Sequence, residues 1–490
     1  MPILPFADWL PDIPALENPG ATVATNVIPD FKSYRPVPDI AAYSTALDAL
    51  CRGAFSASNS AGNTYNYAGD TAKLYEVRTA PTDRSKSGGY STGEDEFWEF
   101  VQWGQTAIGT NFTNPVQSVT LGGAAFADLI TSTLKPKARH IAVVGDFVVL
   151  GNTNDATDGD KPTRVWWSGI NNSLDFQPAA ATQSDNEDLS EADGWVQAII
   201  GGVDYGVVFQ ERAINRMTYV GAPLVFQFDK VESSRGLLAP NAAINVGRLV
   251  YYLSDDGFYV FDGSTSVPIG AGKVDRTFFG ELNTQWQTRV RAAADPLAKL
   301  VWWAYPDAAG DGTCDSVLIY HWPSQRWAKA SIATEVIFSS LTLGYTLEEL
   351  DAINASLDAL SPTLDSRVWT GGKRLLAAFG TTHRLSYFTG SNLAATIETG
   401  EFEAAPGQRA LLTELRPLVD GGTITAALAT RNIQTETATF GSAVAINANG
   451  FVPFRASGRY HRARVSVAAA GTWTHAIGLS DVVAEPQGGR

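Results

Sequence analysis

The chain has 490 residues, which is too long for one ordinary domain and predicts several domains or one large repeat architecture. Hydrophobic residues make up 44% and charged residues only 18%, which excludes an intrinsically disordered chain. The formal net charge of −15 argues against tight binding of duplex DNA through its phosphates, although an acidic surface suits a passage to which DNA does not stick. The 45 glycines and 13 tryptophans favour many short β-strands.

Cysteine and hydropathy patterns bear on the cellular location. Cys51 and Cys314 lie far apart and show no CxxC spacing, so neither a disulfide framework nor a zinc site is expected. We predict two free thiols in a protein made in a reducing cytoplasm. No apolar run approaches the roughly 18 residues of a membrane span, and the first residues lack the features of a signal peptide.

Residues 1–40 predict an extended N-terminal arm. Eight prolines fall in this segment, and because proline lacks a backbone N–H, neither a helix nor a central strand is expected there. The apolar side chains are too many for a solvated linker. Two packings remain open, one on the chain's own domain and one on a neighbouring subunit. The candidate partner contacts of the arm are Phe6, Trp9, Phe31 and Tyr34.

Residues 41–400 contain a loosely repeated unit of two apolar strands, a tight turn and an aromatic-rich pair of strands. Such units lie at 51–78, 97–121, 140–176, 195–221, 242–270 and 289–330, and another begins at 374. Their spacing of about 35–55 residues is close to that of four-stranded propeller blades. We therefore predict an all-β fold with a six- or seven-bladed β-propeller. A string of separate antiparallel sheets is the alternative.

Two further segments complete the predicted architecture. Residues 346–360 have leucine and isoleucine at helical spacing behind a capping box, which predicts one inserted helix outside the blades. Its candidate partner contacts are Leu350, Ile353 and Leu357. Residues 401–490 alternate small and β-branched residues, which predicts a small C-terminal β domain.

Motifs of catalysis are weak in this chain. It has no HExxH, GxSxG or GxxxxGKS pattern, so we predict no catalytic residues and no cofactor. The best metal candidate is the loop that carries Asn154, Asp155, Asp158 and Asp160, because calcium prefers such hard oxygen ligands. A solvated acidic turn is the alternative, and we expect no metal.

A glycoside hydrolase or a glycan-binding propeller is the alternative function. The tryptophan pairs could serve as sugar platforms, namely Trp166, Trp167, Trp302 and Trp303. A hydrolase also needs two convergent carboxylates, and no pattern singles out such a pair.

Four segments, in order, resemble one protein family. The segment RGLLAPNAAINVGRLVYYLSDDGFYVFDG (235–263) resembles a recurrent segment of tail proteins of short-tailed bacteriophages. The opening at 6–36 looks like the start of these proteins, 356–390 is similar to their later blades, and 458–482 to their C-terminal end. The resemblance indicates the tail hub or nozzle, also called tail tubular or packaged-DNA stabilisation proteins.

The resemblance implies a structural virion protein and not an enzyme. Its relatives form a sixfold ring below the portal and adaptor rings, retain the packaged genome and contact tail fibre, tailspike or needle proteins. They are assembled in the host cytoplasm, reside in the virion tail and let double-stranded DNA pass without sequence-specific binding. We expect acidic inter-strand loops to line the channel, with the candidates Asp185, Glu187, Asp188, Glu191 and Asp193.

Overall fold

The computed structural model is almost entirely β-structure and describes residues 3–16, 18–130, 134–345, 350–351, 356 and 371–488. Its N-terminal segment contains five short strands. They are β1 (Leu4–Pro5), β2 (Ala21–Thr25), β3 (Val27–Pro29), β4 (Tyr34–Pro36) and β5 (Ala41–Ala42).

Five antiparallel four-stranded sheets follow in chain order and form blades 1 to 5. Blade 1 contains β6 (Gly53–Ser58), β7 (Thr64–Gly69), β8 (Leu74–Val77) and β9 (Pro81–Asp83). Blade 2 contains β10 (Glu99–Trp103), β11 (Thr106–Thr110), β12 (Gln117–Thr120) and β13 (Ala127–Asp128). Blade 3 contains β14 (Lys137–Val144), β15 (Phe147–Asp155), β16 (Gly159–Trp167) and β17 (Asp185–Asp188).

Blades 4 and 5 repeat the same meander. Blade 4 contains β18 (Val196–Ile200), β19 (Tyr205–Gln210), β20 (Ile214–Gly221) and β21 (Val225–Glu232). Blade 5 contains β22 (Ala243–Val246), β23 (Leu249–Leu253), β24 (Phe258–Phe261) and β25 (Ser266–Pro268). The connections carry α1 (Asp275–Glu281) and two 3₁₀ segments, Glu191–Asp193 and Thr284–Arg289.

Blades 6 and 7 share one long strand. Blade 6 contains β26 (Arg291–Asp295), β27 (Leu300–Pro306), β28 (Cys314–His321) and the first half of β29 (Arg326–Leu341). Thr334 pairs with both Cys314 and Gly380, so the second half of β29 begins blade 7. Blade 7 continues with β30 (Arg374–Gly380) and β31 (Leu385–Tyr387), and β5 from the N-terminal segment adds the fourth strand.

The blades form a closed ring of seven. The innermost strands β6, β10, β14, β18, β22, β26 and the second half of β29 are neighbours in that order, and β29 also contacts β6. Ser339 Oγ donates to the carbonyl of Ala294 at 2.6 Å, and the hydroxyls of Ser56 and Ser340 lie 3.1 Å apart across the closing blades. The prediction of a six- or seven-bladed propeller is confirmed, with seven blades.

The meander topology gives the ring two distinct faces. We label the strands of each blade a to d from the axis outwards. Because neighbouring strands are antiparallel, the a–b and c–d connections lie on one face, here the ab face. The b–c connections and the links between blades lie on the other, here the bc face.

Apolar side chains fill the spaces between neighbouring blades. Tyr67 and Trp98 pack between blades 1 and 2, and Leu150 and Trp166 between blades 2 and 3. Phe338 and Phe379 of blade 7 pack against blade 1 and so close the ring. Several separate apolar clusters thus surround the propeller axis, because each sheet buries both of its faces against its neighbours.

The C-terminal region forms a two-sheet sandwich that includes the N-terminal segment. Its strands are β32 (Ala395–Thr399), β33 (Arg409–Val419), β34 (Ile424–Arg431), β35 (Thr439–Phe440), β36 (Val444–Ala445), β37 (Val452–Gly458), β38 (Tyr460–Val467) and β39 (Ala476–Gly488). One sheet has the order β3-β4-β39-β33-β37 with β1 on β39, and in the other β2 lies between β29 and β32.

The N-terminal segment differs from the expected arm without a central strand. β2 pairs with β32 over Ala21–Thr25 and with Lys329 of β29, so it is a central strand. The prolines at 19 and 29 flank this strand, which leaves its own N–H groups free to pair. The sandwich also begins at Ala395 rather than at residue 401, because β32 pairs with β38 and not with a blade.

Arg326 fixes the N-terminal segment to blade 6. Its guanidinium donates to the carbonyls of Phe6 and Ala7 at 2.8 and 2.6 Å and to those of Asp30 and Ser33 at 2.6 and 3.1 Å. The segment therefore packs on its own chain.

The predicted helix at 346–360 lies outside the described residues apart from Leu350, Asp351 and Ser356, and Leu350 is buried. Within the described residues, no helix is long and apolar enough to cross a membrane.

Candidate axial site

The ab face opens into an axial cavity of about 610 Å³. Six innermost strands and the start of β30 line it, with Ser58, Gln102 and Val203 near its mouth. Phe55 and Phe100, which also line the cavity, stack with ring centroids 6.2 Å apart. The propeller axis is therefore a cavity that polar and apolar side chains line together and that these two rings partly fill.

A second cavity, of about 350 Å³, lies on the bc face where blades 1, 2, 6 and 7 meet. Arg52, Phe97 and Glu335 precede or begin innermost strands, so the topology brings them to the axis. Arg289 lies on the link into blade 6 and completes the wall. We call this cavity of the bc face the axial pocket, and it is separate from the axial cavity of the ab face.

Two guanidinium groups line the axial pocket side by side. Burial, and then the charge of Arg289, lower the pKa of Arg52. Arg289 stacks on Trp286, with its guanidinium carbon 3.9 Å from the ring centroid, and donates to the carbonyl of Gly312 at 2.9 Å. A Cβ on Gly312 would come within 2.7 Å of the Arg289 Nη1, so a glycine is needed for this close approach.

Arg291 lies directly behind this wall. It is 8% exposed, and its guanidinium carbon lies 4.8 Å from the Phe97 ring centroid. Its Nη2 makes one long hydrogen bond, 3.4 Å, to the carbonyl of Arg52. No carboxylate of the described residues lies within 4 Å of it, and burial lowers its pKa. A buried cation without an adjacent anion is costly.

The carboxylates nearest the axis have other partners. Glu335 accepts a hydrogen bond from the Cys51 N–H at 2.8 Å and pairs with His383. Glu99 pairs with the buried His140 Nδ1 at 2.9 Å. Of the three arginines, Arg289 alone has a carboxylate of the described residues within 4 Å, because its Nη2 lies 3.9 Å from Glu94.

The two thiols of the pocket are poor nucleophiles. Burial raises the pKa of Cys51 strongly and that of Cys314 to about 12, so both remain protonated at neutral pH. The arrangement therefore suits binding of an oxyanion by arginines better than covalent chemistry.

The predicted metal loop holds an arginine at its centre. Arg164 Nη1 lies 2.6 Å from Asp158 and 3.6 Å from Asp155, and its Nε lies 2.6 Å from Asp188. The Asp155 side chain also accepts from the N–H groups of Thr157 and Asp158. Asn154 and Asp160 lie opposite each other in the antiparallel register of the β15–β16 hairpin. Among the described residues, no His, Cys, Asp and Glu side chains form a group suited to a metal ion.

Three of the five acidic candidates lie on the outer strand of blade 3 and two on the connection that follows it. Asp185, Glu187 and Asp188 belong to β17, the d strand, and are exposed. Glu191 and Asp193 follow on the bc face, where Glu191 is exposed and Asp193 is buried and pairs with Lys230. Charges on an outer strand also prevent pairing with other chains.

The remaining candidates are mostly buried within the chain. Phe6, Trp9 and Tyr34 pack in the core, so they are inaccessible to a partner in this structure, whereas Phe31 is 64% exposed. Ile353 and Leu357 lie outside the described residues. The predicted sugar platforms, Trp166, Trp167, Trp302 and Trp303, are all buried, which removes the observation that suggested glycan binding.

Sequence reasoning missed the axial pocket because its arginines lie far apart in the chain. Arg52 is 237 positions before Arg289, and only ring closure brings them together. The one local signal was two arginines in the short segment Arg289–Arg291, directly before an apolar strand.

Comparisons with known proteins give fold likeness only. No family model matches the sequence, and no curated protein matches it. Similar solved structures include the computationally designed Ika8 protein (10% identity, TM-score 0.36, 78% of this chain and 99% of that chain). A chain of the mitotic checkpoint complex is 10% identical with a TM-score of 0.40, over 73% of this chain and 96% of that chain. The extracellular domain of a putative hybrid two-component system of B. thetaiotaomicron is 9% identical with a TM-score of 0.41, over 86% of this chain and 48% of that chain. At these TM-scores none of them bears on function.

Proposed function

We propose that this chain is a structural subunit of the tail hub or nozzle of a short-tailed bacteriophage. Its copies form a sixfold ring below the portal and adaptor rings, around the path of the exiting DNA, and help to retain the packaged genome. Tail fibre, tailspike or needle proteins are its other partners. The subunit acts through rigidity and contacts and not as an enzyme.

The exposed apolar surface of the ab face is the observation that carries this proposal. Eight large apolar side chains on its loops and strand ends are more than one-third exposed, namely Leu174, Val203, Tyr219, Val220, Leu224, Leu249, Leu297 and Tyr345. In the described part of the chain, the bc-face connections expose two, Leu50 and Trp195. Four of the side chains on the ab face, Val203, Tyr219, Val220 and Leu224, belong to blade 4, and such a concentration of exposed apolar side chains is typical of contact with other proteins.

The rigid connection between two modules, the propeller and the C-terminal sandwich, supports the same function. One hydrophobic core contains Trp303 of the propeller, Trp9 of the N-terminal segment and Val465 of the sandwich. A ring subunit that bears the pressure of packaged DNA needs such a body. The resemblance to tail proteins also extends over both modules, since 235–263 builds blade 5 and 458–482 builds β38 and part of β39.

The DNA path in this proposal runs between copies and not through a propeller. The major groove of a duplex is alone about 12 Å wide, whereas Phe55 and Phe100 stack inside the axial cavity. The outer edge of blade 3, with Asp185, Glu187 and Asp188, is our candidate for the channel wall. An acidic wall repels phosphates and so reduces friction on moving DNA.

The test is the copy number of the chain in tails purified from virions. Native mass spectrometry or a reconstruction of the tail should show six copies per ring. Three copies, or the absence of the chain from tails, would contradict the proposal. Purified protein should also release no sugar from host polysaccharide above background.

Variants of the ab face test the contact surface itself. Val203→Asp combined with Leu224→Asp should lower incorporation into tails at least tenfold, because two charges would be buried at the contact. Ile433→Asp, at a similarly exposed position of the sandwich, is the matched control. Equal incorporation of both variants would show that the ab face makes no contact in the tail.

A further inference from the structure

We infer that the axial pocket is a binding site for an oxyanion, the phosphate or carboxylate group of a small molecule. The site is independent of the proposed role in the tail. Its ligand enters from the bc face and meets the guanidinium groups of Arg52 and Arg289, with Arg291 behind them.

The first support is the geometry of the donors. Arg52 uses its Nε for the Thr71 hydroxyl at 3.2 Å and its Nη1 for the carbonyls of Glu94 and Glu96, and its Nη2 makes no hydrogen bond within the described residues. Arg289 Nη2 lies 3.9 Å from the Glu94 carboxylate, beyond hydrogen-bonding distance. Each arginine thus keeps a donor for a ligand.

The second support is the uncompensated charge. Glu94 is 73% exposed, so solvent screens its attraction to Arg289. Arg291 is buried with a single long hydrogen bond. Glu335 also lines the pocket, but its carboxylate is occupied by His383 and the Cys51 N–H. An anion in the pocket would therefore supply the counter-charge that the exposed Glu94 supplies only weakly.

The third support is size and shape. About 350 Å³ lies at the lower end of the range for small-molecule sites. Phe97 provides an aromatic wall, and Thr313 and Thr381 add hydroxyls. The pocket can therefore accept inorganic phosphate or a compact polycarboxylate such as citrate.

The experiment measures binding of inorganic phosphate and, separately, of citrate to the full chain by isothermal titration calorimetry at constant ionic strength. The wild type should bind at least one of them saturably with one site, and which of the two binds identifies the group. The double variant Arg52→Gln/Arg289→Gln should bind at least about tenfold more weakly per arginine removed, because each charge-assisted contact is lost. Circular dichroism checks its fold.

Arg212→Gln is the matched control, since this exposed arginine lies on the same face outside the pocket. Its affinity should equal that of the wild type. If the wild type binds neither anion, the proposal is wrong, and this result needs no variant to fold. Equal affinity of the folded double variant would also overturn it.

Discussion

Replacing Arg326 by methionine should release the N-terminal segment from the propeller. The guanidinium is 3% exposed, donates four hydrogen bonds to main-chain carbonyls of that segment, and pairs with Asp8 at 3.1 Å. It also lies over the ring of Tyr34, 4.4 Å from the centroid. Methionine keeps the aliphatic volume and removes all of these contacts.

The cost follows from the carbonyls that lose their donors. A hydrogen bond to a charged group contributes about 1.5–3 kcal/mol, but four bonds to one side chain are not additive. Breaking a buried charged network by removing one partner costs about 3–5 kcal/mol. We therefore expect the opening free energy of the segment to fall by about 4 kcal/mol.

Limited proteolysis measures this opening directly. Trypsin should cut after Lys32, because the Arg35–Pro36 bond resists it. The rate of this cut should rise about a thousandfold in Arg326→Met, since each 1.4 kcal/mol is tenfold in the open population. Arg416→Met is the control, because that side chain is half exposed and 3.9 Å from Asp481, worth less than about 1 kcal/mol. If both variants were cut within about tenfold of the wild type, this argument would fail.

Three further predictions concern stability and reactivity. Cys51 and Cys314 should react with a thiol reagent at pH 8 at least about a hundredfold more slowly than free cysteine, because burial keeps them protonated, and denatured protein should show two reactive thiols. Burial raises the pKa of Asp275 from 3.8 to about 6, so the folded state binds this proton more tightly, and the stability that the bound proton confers is lost as the pH rises from 3.8 to about 6. In urea titrations, Asp275→Asn should therefore be more stable than wild type by about 1 kcal/mol at pH 7, and this advantage should disappear by pH 4. Deleting residues 1–42 should give insoluble protein, because the deletion removes β5 from blade 7 and β2 from the sandwich and so exposes strand edges. A soluble deletion variant with the circular dichroism of the full chain would contradict this topology.

The blades were predictable because their signals are local. Each unit is a meander of hairpins whose strands pair with their chain neighbours, and turns such as Gly145-Asp146 are visible in the sequence. Gly145 has a φ of +54°, which explains why a glycine begins this turn. The first six expected units start within a few residues of the observed first strands. The seventh, expected from residue 374, starts at the second strand of blade 7, because the second half of β29 is its first strand.

Long-range pairings were not predictable in this way. The fourth strand of blade 7 comes from Ala41–Ala42, more than 340 positions before its partner β31, and two small residues carry no pattern that identifies it. β2 was hidden because prolines surround it. The arginine that occupies the loop at 154–160 was not predicted either. Arg164 lies on the following strand, and its position in the sequence does not indicate that it pairs with Asp158.

The chain connectivity explains why the two modules form one body. β29 runs without interruption from the outer edge of blade 6 to the axis of blade 7, so no flexible loop separates these blades. The outer part of β29 also pairs with β2, which in turn pairs with β32 of the sandwich. Any rotation of the sandwich against the propeller must therefore break main-chain hydrogen bonds as well as the contacts of Arg326. Motion between the modules consequently requires release of the N-terminal segment, and the same segment closes blade 7.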